Sequence, residues 1–263
     1  SKSPKIRHQK YETSMNHPIP KPDQYQEMRE ALRDLCSKFD SAYWQKIDHE
    51  RGYPEAFVKA MTEAGWLAAL IPEEYGGSGL GLAEASVIME EINFSGGNSG
   101  SCHGQMYNMG TLLRHGSEEQ KKLYLPKIAS GQLRLQSMAV TEPTTGTDTT
   151  KLKTTAVKKG DRYVVNGQKV WISRIQHSDL MILLARTTPI NQTQRKSEGM
   201  SIFIVNLADA IGKGMEVRPI ANMVNHETNE VFFDNLEIPA ENLIGTEGQG
   251  FKYILDGLNA ERV

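Results

Sequence analysis

Across the first half of the chain, apolar residues return every three to four positions. Tyr25, Met28, Ala31, Leu32, Leu35 and Phe39 fall on one face at the 3.6-residue period of an amphipathic helix. Phe57, Met61 and Trp66 continue a second such face, which ends at the loop "EEYGGSGLG". Leu82 to Phe94 is a third, with Val87, Ile88 and Ile92 set against Glu84, Glu90 and Glu91. A fourth begins at Ser117, where Gln120 completes a capping box and Gly131 follows the segment's end. A helical bundle over residues 24–131 is the simple reading. The basic stretch before it, 1–23, reads as an N-terminal arm or an expression remnant.

Near residue 132 the period changes. "LRLQSMAV", "KLKTTAV", "RYVVNG" and "KVWIS" are short and rich in β-branched and aromatic residues, and Asn166-Gly167 between two of them is a hairpin signal. "LMILLAR", "SIFIVNL", "MEVRPI" and "EVFFDNLEIP" follow at regular spacing. Residues 132–242 therefore predict a small antiparallel β barrel or sandwich. From Gly248 the pattern turns helical again, "GFKYILDGLNAERV", and the sequence stops within it. The expected class is α+β: an N-terminal helical bundle, a small antiparallel β-barrel domain, and over 243–263 the first helix of a truncated C-terminal helical bundle.

Composition narrows the function. Of 263 residues, 38% are hydrophobic and 24% charged, a globular balance. A net charge of −2 gives no reason to expect nucleic acid or an anionic membrane as partner. The longest apolar stretch, "AGWLAALIP", stops at Pro72, too short to span a bilayer. Cys36 and Cys102 lie far apart with no ligand spacing and read as reduced thiols of an intracellular protein. "GGSGLG" follows no strand and lacks the third glycine of a dinucleotide fingerprint. "HETNE" at His226 has no second histidine, and no GxSxG or P-loop is present. His103 and His115 read as structural side chains, and no metal site is expected.

What remains is "TEPTTGTDTT", residues 141–150, with six threonines in ten positions. Its turn could present backbone N–H groups and the Thr141 and Thr147 hydroxyls to a flat polar ring or a phosphate, with Gly146 allowing close approach. It could equally be a surface loop held by its own side-chain-to-backbone bonds.

The neighbouring motifs weigh on the first side. "SMAVTEPTTGTDTTKLKTTAVKKGDRYVVNGQKVWISR" resembles the middle domain of the acyl-CoA dehydrogenase family, whose pattern is a strand, T-E-P-x-x-G-S-D, a hairpin N-G-x-K and then W-I-T-N. "GWLAALIPEEYGGSGLGLAEASVIMEEI" and "HGSEEQKKLYLPKIASGQL" resemble its N-terminal helical domain. "FDNLEIPAENLIGTEGQGFKYILDGLNAERV" resembles the exit strand and the first helix of its third domain.

The resemblance implies a flavoenzyme, an FAD-dependent oxidoreductase acting on a CH–CH bond. It would convert an acyl-CoA thioester to the trans-2-enoyl-CoA and pass electrons to electron-transferring flavoprotein. It also implies a homodimer or homotetramer, cytoplasmic in a bacterium or in the mitochondrial matrix of a eukaryote. Relatives on the same fold leave an acyl-CoA oxidase, a flavin monooxygenase or nitroalkane oxidase as alternatives, and a flavin-free scaffold is a third.

Position by position, the resemblance assigns Met138, Val140 and Thr141 to the strand end beside the flavin, although Met138 departs from the family's aromatic residue. Gly146 and Thr147 match the Gly-Ser pair that reaches the CoA, with Thr147 keeping the hydroxyl. Trp171, Ile172 and Ser173 match W-I-T, with the indole on the flavin. Arg174 replaces the family's asparagine, a departure without an assigned role. Residues 95–110 resemble the region lining the acyl pocket. Most members carry the catalytic base in the C-terminal domain. A minority, the isovaleryl-CoA and long-chain types, carry it just before an arginine, which is where Glu261 and Arg262 stand in "NAERV". Thr147, Glu261 and Arg262 are thus the candidate substrate residues.

Overall fold

The computed structural model describes Lys21 and residues 24–261, with the backbone alone for 259–261. Six helices come first: α1 (Gln26–Cys36), α2 (Ser41–His49), α3 (Glu55–Glu63), α4 (Leu82–Phe94), α5 (Gly100–His115) and α6 (Glu118–Ala129). The capping box at Ser117 forms as its sequence requires: Ser117 Oγ accepts from Gln120 N at 3.1 Å and Gln120 Oε1 accepts from Ser117 N at 3.0 Å. Gly131 past the end of α6 has φ +77°, the left-handed turn glycine is suited to. Trp66 falls in a separate short 3-10 turn beyond the end of α3.

Two helices carried no readable period. No residue of α2 is buried, so it has no apolar stripe; the Asp40 carboxylate starts it by accepting from Tyr43 N. The buried side of α5 includes Ser101, Gln105, Asn108 and Thr111 beside Met109 and Leu112, which hides its amphipathicity.

Leu32, Phe57, Val58, Met61, Val87, Ile88 and Ile92 from α1, α3 and α4 form the core of the helical part. Arg29, buried beside that core, bonds Glu91 Oε1 at 2.6 Å, and Arg33 takes Oε2 of the same carboxylate at 2.7 Å, tying α1 to α4.

The strands are β1 (Leu135–Ala139), β2 (Thr155–Lys159), β3 (Arg162–Ser173), β4 (Leu180–Arg186), β5 (Met200–Asn206), β6 (Met215–Pro219), β7 (Thr228–Pro239) and β8 (Leu243–Ile244). A single turn, α7 (Leu207–Ala210), follows β5, and α8 (Gly250–Glu261) ends the described chain. The order in the sheet is β6-β7-β3-β2-β4-β5-β8, with β1 added to β4.

Strands β4 and β5 read as unbroken apolar runs because both of their faces are buried. Met181, Leu183, Ala185, Phe203 and Val205 face the core inside the β domain. Ile182, Leu184, Ile202 and Ile204 face a second core shared with Met109, Leu112, Leu125, Ile128 and Ile254 of α5, α6 and α8. The helices therefore dock directly on the sheet, and the site lies along that seam.

Two expectations need correction. The sheet does not close into a barrel, and it is not wholly antiparallel, since β1 and β2 both pair with β4 in parallel. Closure is unnecessary here because helices cover the outer face that a barrel would expose. Asn166-Gly167 is no hairpin. The β2–β3 turn is Gly160-Asp161, and β3 runs on through Gly167, where the register with β7 slips. Gly167 has φ +149°, and a Cβ there would stand 2.5 Å from Thr154 Oγ1. Asn-Gly signalled the unusual backbone correctly, but it serves a bulge.

No described helix is long and apolar enough to cross a membrane.

Candidate functional site

At the ends of β1 and β3 the chain leaves the sheet and meets α5 and α8. Between them opens a cleft of about 510 Å³, within the size range of small-molecule sites. All eight residues expected to hold a cofactor line it: Met138, Val140, Thr141, Gly146, Thr147, Trp171, Ile172 and Ser173. Two depressions of about 610 Å³ elsewhere contain none of the eight in their linings, and the first mixes Arg162 and Lys213 with Asp209, Glu237 and Glu241. Convergence of predicted chemistry, and not size, selects the smaller cleft.

The threonine loop is fixed from below by a buried ion pair. After β1 the chain turns tightly on itself, with Glu142 and Thr145 exchanging backbone hydrogen bonds at 3.0 Å. The Glu142 carboxylate points inward and accepts from Lys153 N at 2.6 Å, Thr154 N at 2.9 Å and Lys169 Nζ at 3.0 Å. Lys169 also donates to Val140 O at 2.8 Å. Four groups from both ends of the loop and from β3 thus meet on two oxygens and one carbonyl. Burial would raise the Glu142 pKa, but the Lys169 charge and the backbone N–H bonds outweigh it and hold the carboxyl below its ordinary value. Burial also pushes the Lys169 ammonium down to about 8, against the pull of Glu142.

Both readings of the threonines apply, to different residues. Thr150 Oγ1 braces the loop through Asp148 at 2.5 Å, and Thr145 is buried beneath it. The Thr141 and Thr147 hydroxyls face the cleft and bond no described residue, nor does that of Ser173. Gly146 is exposed at the lip; a Cβ there would meet only Thr141 Cγ2, at 3.9 Å, so the chain itself does not require glycine. The space a side chain would fill is the cleft.

Trp171 is held outward by strain. The β3–β7 register slips again between Lys169 and Ile172, and Trp171 has φ +62°, a left-handed conformation rare for a bulky residue. Val170 N, just before it, is anchored to Thr141 O at 2.9 Å. The bulge leaves the indole 59% exposed at the cleft. A large aromatic ring presented edge-free to solvent, with three unpartnered hydroxyls nearby, suits a flat polar ligand.

The opposite wall was not anticipated. Phe251, Ile254, Leu255 and Leu258 of α8 line it at helical spacing, and Tyr107 comes from α5. The apolar period of "GFKYILDGL" carried that information. Tyr107 alone gave no sign, since α5 has no clean stripe. The Glu142–Lys169 pair was also missed, because nothing in sequence links residues 27 apart. Glu261 stands at the end of α8 with its side chain outside the described residues, and Arg262 lies wholly outside them.

His226, the single histidine of "HETNE", bonds Asp48 Oδ1 at 2.9 Å, and no group of three metal-ligating side chains gathers among the described residues. Burial pushes the Cys102 thiol up to about 12, which keeps it from acting as a thiolate at neutral pH.

A helical bundle docked on an open sheet, with a cofactor-sized cleft at the seam, defines a two-domain ligand-binding architecture of recognisable type. The description "Acyl-CoA dehydrogenase, N-terminal domain" matches residues 22–132, and "Acyl-CoA dehydrogenase, middle domain" matches residues 137–236. The chain belongs to the acyl-CoA dehydrogenase family.

It is 33% identical over 245 residues to the mitochondrial isovaleryl-CoA dehydrogenase of Pongo abelii, covering 90% of this chain and 57% of that protein. Among solved structures it is similar to the acyl-CoA dehydrogenase of Geobacillus kaustophilus, with TM-score 0.82 and 33% identity over 91% of this chain and 63% of that one. It is equally similar to a chain solved in work on the electron transferring flavoprotein of Acidaminococcus fermentans, with TM-score 0.82 and 30% identity over 93% of this chain and 63% of that one. The chain spans from 50% to 62% of the length of the curated relatives it matches.

Proposed function

We propose that these residues are part of an FAD-dependent acyl-CoA dehydrogenase, which removes two hydrogens from Cα and Cβ of an acyl-CoA thioester. The observation that carries the reading is the strained, outward Trp171 facing the same cleft as Thr141 and Ser173. In this reading the indole packs against the flavin ring, and the Thr141 and Ser173 hydroxyls donate to its polar edge. FAD, when bound, supplies the hydride acceptor. Gly146 and Thr147 at the lip take the CoA arm, Thr147 through its hydroxyl. The apolar wall of α8 keeps water from the reacting carbons, and Glu261 at the end of that helix takes the α-proton.

An α-C–H is a very weak acid, so hydrogen-bond donors must meet the thioester oxygen as charge develops on it. Electron-transferring flavoprotein is the proposed acceptor, supported by the similarity to the Acidaminococcus structure. The full-length protein is proposed to act as a homodimer or homotetramer.

The full-length protein should purify yellow, with FAD released on denaturation, and should bleach when acyl-CoA is added without oxygen. A colourless protein that takes up no FAD would end this reading. Bleaching followed by stoichiometric hydrogen peroxide in air would make it an oxidase. Trp171→Ala should weaken FAD binding about tenfold, since a buried aromatic contact is worth roughly 0.5–1.5 kcal/mol beyond its area. Fluorescence titration of the apoprotein measures this, and unchanged affinity would remove the indole from the site.

A further inference from the structure

Arg174 follows Ser173 out of β3 and adopts φ +61°, with its N–H donating to Glu227 O at 2.9 Å. Its side chain crosses to the first two turns of α5. A Cβ built on Gly104 would stand 2.7 Å from Nη2, 3.0 Å from Nε and 3.1 Å from Cζ, and one on Gly100 would stand 3.4 Å from Nη1. The guanidinium therefore rests on bare helix backbone that only glycine leaves open.

It makes no ion pair or hydrogen bond with a described residue, and Nε is buried. The first turn of a helix carries the positive end of its dipole, so the nearest fixed field repels this cation as well. A partly buried cation left in that state costs free energy until an anion reaches it.

The same patch holds other unused groups. Ser101 is three residues before Gly104 and Asn108 four after it, so both flank Gly104 on one face of α5. Both are buried, and Ser101 Oγ, Asn108 Oδ1 and Asn108 Nδ2 have no partner. A guanidinium fork, a hydroxyl and a carboxamide around one glycine form the donor set that a carboxylate accepts from. The patch also adjoins the cleft: Tyr107, one turn along α5 from Gly104, and Ser173, the residue before Arg174, both line it.

We propose that Arg174, with Ser101 and Asn108, is a receptor for a carboxylate at the far end of the acyl group, so that the preferred substrates are CoA thioesters of dicarboxylic acids. The inference rests on the acyl-CoA reading of the cleft. It gives the departure from the family's asparagine a role: a neutral amide there would tolerate a methyl-ended chain, whereas an unpaired guanidinium rejects one.

The test uses the full-length protein and CoA thioethers, which cannot be oxidised, in pairs of equal length ending in a carboxylate or a methyl group. Calorimetry should show the carboxylate-ended member of at least one pair binding tenfold or more tighter. Arg174→Gln should abolish that preference, Arg174→Lys should keep part of it, and Ser101→Ala should reduce it severalfold. Equal or tighter binding of the methyl-ended member at every length in the wild type would overturn the proposal and show that buried water serves these groups. A preference that survives Arg174→Gln would overturn it too. Should that variant fail to fold, the wild-type pairs and Ser101→Ala decide alone. Binding of neither member would instead bring down the acyl-CoA reading and this inference with it.

Discussion

Glu142→Ala should lower the unfolding free energy by about 3–5 kcal/mol, because it strands the Lys169 ammonium in a buried site with only Val140 O to receive it. The loss has two parts. One is the uncompensated charge, and the other is the release of Lys153 N and Thr154 N, which lose their acceptor. Adding Lys169→Met removes the first part and leaves the second, so the double variant should recover more than half of the loss. Urea denaturation of the three variants measures both. A single-variant loss below about 1 kcal/mol would mean that water enters and solvates the lysine.

The acid limb of the stability profile should also change. In the folded protein the Glu142 carboxyl is held below its ordinary value of 4.5. Its contribution is therefore complete above that ordinary value and is lost as pH falls through the lower folded-state value. The double variant should show a flatter decline across that acid range than the wild type.

The other large effect concerns the proton. In the full-length enzyme, Glu261→Gln should retain FAD and bind acyl-CoA, yet bleach about 10²–10⁴-fold more slowly, the usual cost of losing a general base. The amide preserves size and much of the hydrogen bonding, so FAD content serves as the check on folding. Stopped-flow bleaching near the wild-type rate would assign the base to a residue beyond Val263. Loss of FAD together with activity would point to a structural part for Glu261 in α8.

How much of this was readable in the sequence depended on the range of the interaction. Leu82–Phe94 and the cap at Ser117 are local: a period and a box of four residues determine them, and both elements stand where the residues put them. β4 and β5 were legible as strands but not as the floor between two cores, because an unbroken apolar run does not say what covers each face. Asn166-Gly167 was misread because a two-residue signal reports backbone shape and not its use. The cleft's eight residues came from motif order, which carries three-dimensional information that periodicity lacks. Its fastening by Glu142 and Lys169 and its far wall on α8 depend on distant contacts, and the carboxylate patch on α5 needs Arg174 beside glycines some 70 positions away.

Six residues other than glycine adopt positive φ, and two of them, Trp171 and Arg174, stand three positions apart at the edge of the cleft. A protein engineer seeking a hardier variant would replace such residues with glycine, since each relieves roughly 1–3 kcal/mol of backbone strain. At Tyr25 or Arg51 that recipe touches nothing in the cleft. At 171 and 174 it would produce a sturdier chain that has surrendered its ligand contacts, so heat-resistance screens that ignore function will select against the site itself.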